Sequence, residues 1–202
     1  MKNYAMSSEN EMILLFLQSE LSSGRFVQKL TDVVSELSAD ISVIVSGNTR
    51  DEGENSLRRK IMGVYRGWGC GREMFENFPR IEKWLSAVCE KEDMAKIRYI
   101  NYDYWNELSQ NTSSPLAAAE SVKKDKIVFG VSNENFLKGA GYLKSGKKFP
   151  PVILITDESE VSYIILEGHS RMTVYALAHE YFEGTRCLIG YCGSEEIKKW
   201  NG

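Results

Sequence analysis

An α+β fold is predicted for this chain, with a mainly helical region over residues 1–94 and an α/β domain with a small mixed sheet over residues 95–202, the first packed on the second. Two patterns predict it. The first half carries apolar stripes at helical spacing, whereas the second half interleaves short β-branched runs with helical stretches. No fixed-period repeat and no Pro- or Ser-rich linker interrupts either pattern, so the halves are expected to pack as one unit.

Ser8 followed by Glu11 has capping-box spacing, and Met12, Ile13, Phe16 and Leu17 lie on one face of a first helix ending near Gly24. Phe26, Val27, Leu30, Val33, Val34 and Leu37 then repeat as the stripe of a second helix. Ile41, Val43 and Val45 alternate, which predicts a short strand or extended exit, and the polar stretch from Ser46 to Asn55 predicts an exposed loop. Leu57, Ile61, Met62, Val64 and Tyr65 support a third helix that stops at Gly67, Gly69 and Gly71. Pro79 opens a fourth, with Ile81, Trp84, Leu85 and Val88 inward.

From Ala95 onward four strands are predicted, at Lys96 to Tyr102, Pro151 to Ile155, Tyr163 to Leu166 and Arg186 to Tyr191. Helical stretches lie between them at Leu116 to Lys124, Asn133 to Leu143 and Ser170 to Phe182, with a last turn at Ser194 to Trp200.

Composition narrows the function. The 202 residues carry a formal net charge of −3 and 11% aromatic residues, and neither half is a basic tail, which argues against a general DNA-coating role and leaves room for a local basic patch. Cys70, Cys89, Cys187 and Cys192 form no CxxC pair and read as no zinc site; metal binding by protein ligands alone is not predicted. The first apolar run, Met12 to Leu17, is short and follows Glu9 and Glu11, unlike a secretion signal, and no apolar stretch approaches the roughly 20 residues of a membrane span. A cytoplasmic protein with reduced thiols and no membrane partner is expected.

Chemistry concentrates in the string from Ile164 to Leu177, which reads strand, tight turn, helix: Ile-Ile-Leu-Glu-Gly-His-Ser-Arg-Met-Thr-Val-Tyr-Ala-Leu. A glycine at such a junction turns the backbone sharply, and the first helical N–H groups then point outward without partners. Phosphate is attracted there, because the helix dipole, Arg171, and the donors of His169 and Ser170 add up, while Glu167 places a carboxylate alongside. Ser170 reads equally as the helix N-cap, and Glu167 as a solvated turn residue or the partner of Arg171.

Gly168-His169-Ser170-Arg171 resembles the Gly-led motif of the ParB/sulfiredoxin-like superfamily, in which Gly-Glu-Arg-Arg, Gly-Cys-His-Arg or Gly-His-His-Arg opens a helix after a strand. The similarity covers roughly residues 95–202, including an early strand near residue 97 and the Pro-led Pro-Val-Ile-Leu-Ile strand, and the motif is nearest the free-serine kinase branch. It implies a nucleoside triphosphate or diphosphate as cofactor, with Mg²⁺ between phosphates, bound around Gly168, His169, Ser170, Arg171 and Thr173. It further implies Glu167, His169 and Asp103 as the groups near a small-molecule acceptor in a phosphotransferase or nucleotidase. His169 stands where sulfiredoxins have their cysteine, so that chemistry is not expected, and no helix-turn-helix follows the motif, which argues against partition-type DNA association. A nucleotide-sensing or protein-interaction module, its helical half contacting a protein partner, is the alternative, with a partition-type DNA-associated protein as the third reading.

In the polar segment Asn101 to Thr112, Asp103 or Glu107 could serve as base or Mg²⁺ ligand, whereas Tyr102, Tyr104 and Trp105 read as packing residues. Gly141 to Lys148 is not a P-loop, since Lys148 replaces Ser or Thr and a helix precedes it. Arg66-Gly67-Trp68-Gly69-Cys70-Gly71-Arg72 reads as a helix end and turn, or as a lid carrying two arginines.

Overall fold

Ser8 and Asp51 start the two longest helices of the N-terminal region by the same device, a side-chain oxygen that accepts a first-turn amide: Ser8 from Glu11 at 3.2 Å and Asp51 from Glu54 at 3.0 Å. The computed structural model describes all residues from Met1 to Gly202. They form two compact units, Ser7–Arg80, and Met1–Met6 together with Ile81–Gly202. The division therefore falls at residues 80/81, whereas the sequence placed it at 94/95.

The first unit holds α1 (Glu9–Leu21), α2 (Val27–Glu36), α3 (Ser42–Val45) and α4 (Glu52–Arg66) around Phe16, Leu17, Leu30, Ile44 and Ile61. The expected strand at Ile41 to Val45 is the short helix α3, started by the Asp40 carboxylate accepting the Ser42 amide, and α4 begins inside the expected loop. Arg58 is buried and donates to the carbonyls of Val43 and Asn48, to Asn55 and to Glu54, tying the α3–α4 loop to α4. Glu20 on α1 accepts from Tyr65 and Arg66 on α4. Gly67 ends α4 at φ +81°, and Arg72 donates back to the Gly63 and Val64 carbonyls, so the glycine-rich stretch is a helix end and both lid arginines are engaged within this unit.

The second unit is built on a six-stranded mixed sheet. Its strands are β1 (Lys2–Met6), β2 (Lys83–Cys89), β3 (Ile97–Arg98), β4 (Val152–Thr156), β5 (Tyr163–Glu167) and β6 (Thr185–Tyr191), in the order β1-β2-β6-β4-β5-β3. β4 runs antiparallel to β5 and parallel to β6, and β3 runs parallel to β5. The helix expected from Pro79 is β2, paired over its whole length with β6 from Lys83↔Tyr191 to Cys89↔Thr185. β1, unforeseen, is an edge strand whose residues are all exposed. α5 (Asp103–Leu108), α6 (Pro115–Lys123), α7 (Glu134–Lys144), α8 (His169–Leu177) and α9 (Ser194–Asn201) complete the unit, with α8 packed against α6 and α7. Ala119, Val122, Leu154, Ile165, Met172 and Ala176 share its principal core. No helix of either unit is long and apolar enough to cross a membrane.

Gly190 on β6 faces Trp84, its register partner on β2; a Cβ there would lie 2.8 Å from the indole and 3.0 Å from Ile155 Cδ1. Both neighbours are buried and cannot swing away. Gly190→Ala is expected to destabilise the protein by about 1–3 kcal/mol, read as a lower urea midpoint with an unchanged slope.

Candidate functional site at the start of helix α8

β5 is buried through Leu166, and the chain must leave it and begin α8 without an intervening loop. Gly168 makes this turn at φ +106°, ψ +20°. A side chain is excluded twice over, by the backbone conformation and by Val152 Cγ1, which would lie 2.7 Å from a Cβ. Gly168 itself is the N-cap and supplies no side-chain acceptor. The first intrahelical bond runs from the Met172 amide to the Gly168 carbonyl at 2.9 Å, so the amides of His169, Ser170 and Arg171 precede the regular ladder. Ser170 is exposed on the first turn and is not the cap.

Arg171 Nη2 donates to Glu167 Oε1 at 3.0 Å, with side chains 11% and 18% exposed. The pair spans the elbow and holds the guanidinium beside Gly168. Of the two sequence readings of Glu167 as a structural residue, the ion pair is the one realised.

His169 is set in a stack of aromatic rings. Trp105 of α5 lies 5.4 Å from it at an interplanar angle of 15°, and Tyr99 lies 4.7 Å from Trp105 at 20°. Nε2 of His169 is shut off from water and has no hydrogen-bond partner. Burial, and then the charge of Arg171, push the imidazole pKa down to about 3, against a backbone hydrogen bond with Ile165 that favours the proton. His169 is therefore neutral at physiological pH and brings hydrogen bonding, not charge, to the elbow.

Thr173 is fully buried; its hydroxyl donates to the His169 carbonyl at 3.0 Å and lies 2.8 Å from the Tyr99 hydroxyl. It belongs to the packing beneath the elbow and cannot touch a ligand above it. Asp103 stands exposed in the first turn of α5, on a different element from the Glu167–Arg171 pair. The structure thus gathers Glu167, Gly168, His169, Ser170 and Arg171, and leaves Asp103 apart. Tyr99 and Trp105 are the members that sequence reasoning did not assign to the site, although the aromatic run after β3 was visible. The chain holds no group of three His, Cys, Asp or Glu side chains placed to share a metal ion. Glu167 is engaged by Arg171, so the elbow does not fit Mg²⁺ as a protein-ligated ion.

Two outcomes follow from this geometry. Gly168→Ala forces a Cβ into Val152 at positive φ and is expected to cost about 2 kcal/mol or more, measured by denaturant unfolding. The depressed His169 pKa means the unfolded chain takes up a proton near pH 6.5 that the folded protein refuses, so stability is full above that pH and falls as pH drops toward 3. Between pH 7.5 and 5.5 the wild type should lose about 1 kcal/mol more than His169→Phe, measured by urea titration at each pH.

Comparison of the chain with protein-family profiles, with curated proteins and with solved structures returns no match to any of the three.

Proposed function

We propose that this is a nucleotide-binding protein that seats a phosphate on the N-terminal turn of α8. The observation carrying the reading is the uncapped turn itself: three leading amides and the positive end of the helix dipole, with the Arg171 guanidinium anchored beside them by Glu167. The resemblance of Gly168-His169-Ser170-Arg171 to the motif of the ParB/sulfiredoxin-like superfamily is what favours a nucleotide over another phosphate compound. Nucleotide sensing is preferred to phosphotransferase or nucleotidase activity. The three candidate acid–base groups are a carboxylate already paired, an imidazole held neutral and an exposed Asp103 on another element. A cytoplasmic location accords with four unpaired cysteines, three of them buried.

Thermal unfolding with ATP, ADP, CTP and GTP, with and without Mg²⁺, tests the proposal. One nucleotide at about 100 times its Kd should stabilise the wild type by about 2.7 kcal/mol. Arg171→Ala should lose most of that gain. Ser170→Asp should lose it too, while the unliganded variant stays as stable as the wild type or gains about 0.5 kcal/mol from the dipole. Absence of a shift with every nucleotide would remove the proposal.

A further inference from the structure

Between α6 and α7 the chain makes a tight turn whose side chains are sorted by face. Val128 and Val131 bridge across it and Val128 enters the core, but Ile127, Phe129 and Val131 are 51%, 69% and 47% exposed. Phe129 stands at the tip with φ +48°, a conformation a bulky aromatic residue rarely holds, followed by Gly130 at φ +72°. The turn is braced at its base: the buried Asn133 side chain donates to the Lys126 carbonyl at 3.0 Å. Asn133 is also the N-cap of α7, so the turn and that helix form one surface. Leu137 is exposed in the first turn of α7, and Tyr142, about 140° further round the helix, is exposed with the Lys147 ammonium 4.9 Å from its ring.

Charge marks the same segment. Residues 123–148 contain seven lysines against Asp125 and Glu134, in a chain whose formal net charge is −3; Lys123, Lys126 and Lys138 are paired with Glu120, Glu107 and Glu134, which leaves Lys124, Lys144, Lys147 and Lys148 as the uncompensated ammonium groups. None of the basic residues is arginine. Lysines around an aliphatic and aromatic tip suit a bilayer, where the tip enters the acyl boundary and flexible ammonium groups reach the headgroups. Base and phosphate recognition by nucleic-acid binders leans instead on the planar guanidinium.

We propose that the Ile127–Val131 turn and the first turn of α7 form a peripheral docking surface for an anionic phospholipid bilayer, with Phe129 as the inserting residue. A surface of this kind needs no spanning segment, which is why the sequence, judged by spans, pointed to no membrane partner.

Vesicle co-sedimentation of the full chain tests this, using phosphatidylcholine alone and phosphatidylcholine with about one-third phosphatidylserine. Binding is expected only to the anionic vesicles, and it should weaken between about 0.1 M and 1 M salt. Phe129→Asn removes the apolar tip and installs a residue suited to positive φ, so it should melt no lower than the wild type yet lose at least tenfold in vesicle affinity. K124Q with K148Q should lose roughly fivefold per lysine. No sedimentation, equal sedimentation with both vesicles, or full binding by Phe129→Asn would each overturn the proposal. So would lysine-dependent binding to a DNA duplex, indifferent to Phe129, in place of the vesicles.

Discussion

A buried strand must become a helix at one residue, and the second unit is organised around that constraint. β5 is enclosed between β4 and β3, and α8 has to return over the same sheet face to pack on α6 and α7. Gly168 alone meets both demands, a left-handed backbone and a van der Waals gap beside Val152 too small for a methyl group. Everything at the site inherits its position from this elbow. Glu167 and Arg171 meet because they flank it, and His169 meets Trp105 because the elbow aims the first turn toward α5. Tyr99 reinforces the arrangement from below through Thr173, linking the exit of β3 to the second turn of α8.

Both units bury polar side chains, and in each most but not all of their atoms find partners. In the helical unit, Arg58 is fully enclosed but four oxygen partners take up its guanidinium, so the charge acts as a clasp between a loop and a helix. Glu20 does the same between α1 and α4. Arg58 Nε and Arg66 Nε in the helical unit, and Asn133 Oδ1 and His169 Nε2 in the sheet unit, are buried without a partner. Buried polar atoms are nearly always satisfied, and His169 Nε2 is the one of these four that lies at the start of α8.

Much of this was legible in the sequence where one signal dominated. α1, α2, α6, α7, β4, β5 and β6 follow from single-period patterns bounded by caps, glycine or proline. β2 was not legible, because Ile81, Trp84, Leu85 and Val88 fit helical spacing as well as they fit a strand with apolar residues on both faces. Only pairing with β6, a hundred residues distant, decides between them. β1 has no apolar pattern at all, since every residue of it is exposed and its strand conformation comes from its partner. Of the site, the contiguous Glu167 to Arg171 string announced itself. Tyr99 and Trp105 did not, since stacking on His169 depends on a register between segments more than sixty residues apart.

Under the proposed reading, the electrostatics of the elbow favour recognition over turnover. Arg171 spends one of its five N–H donors on Glu167, so the guanidinium can meet an incoming phosphate without giving up the pair. Under the proposed reading, the hydrogen bonds of Arg171 add to the helix dipole and the oriented backbone amides, which do not titrate, while His169 stays neutral. Affinity for a fully ionised phosphate would then vary little with pH across the range in which an imidazolium-based site would switch off. A phosphoryl-transfer centre needs in addition a base that can accept a proton near neutrality. Within the elbow, the imidazole is too weakly basic and the carboxylate is committed to holding Arg171 in place.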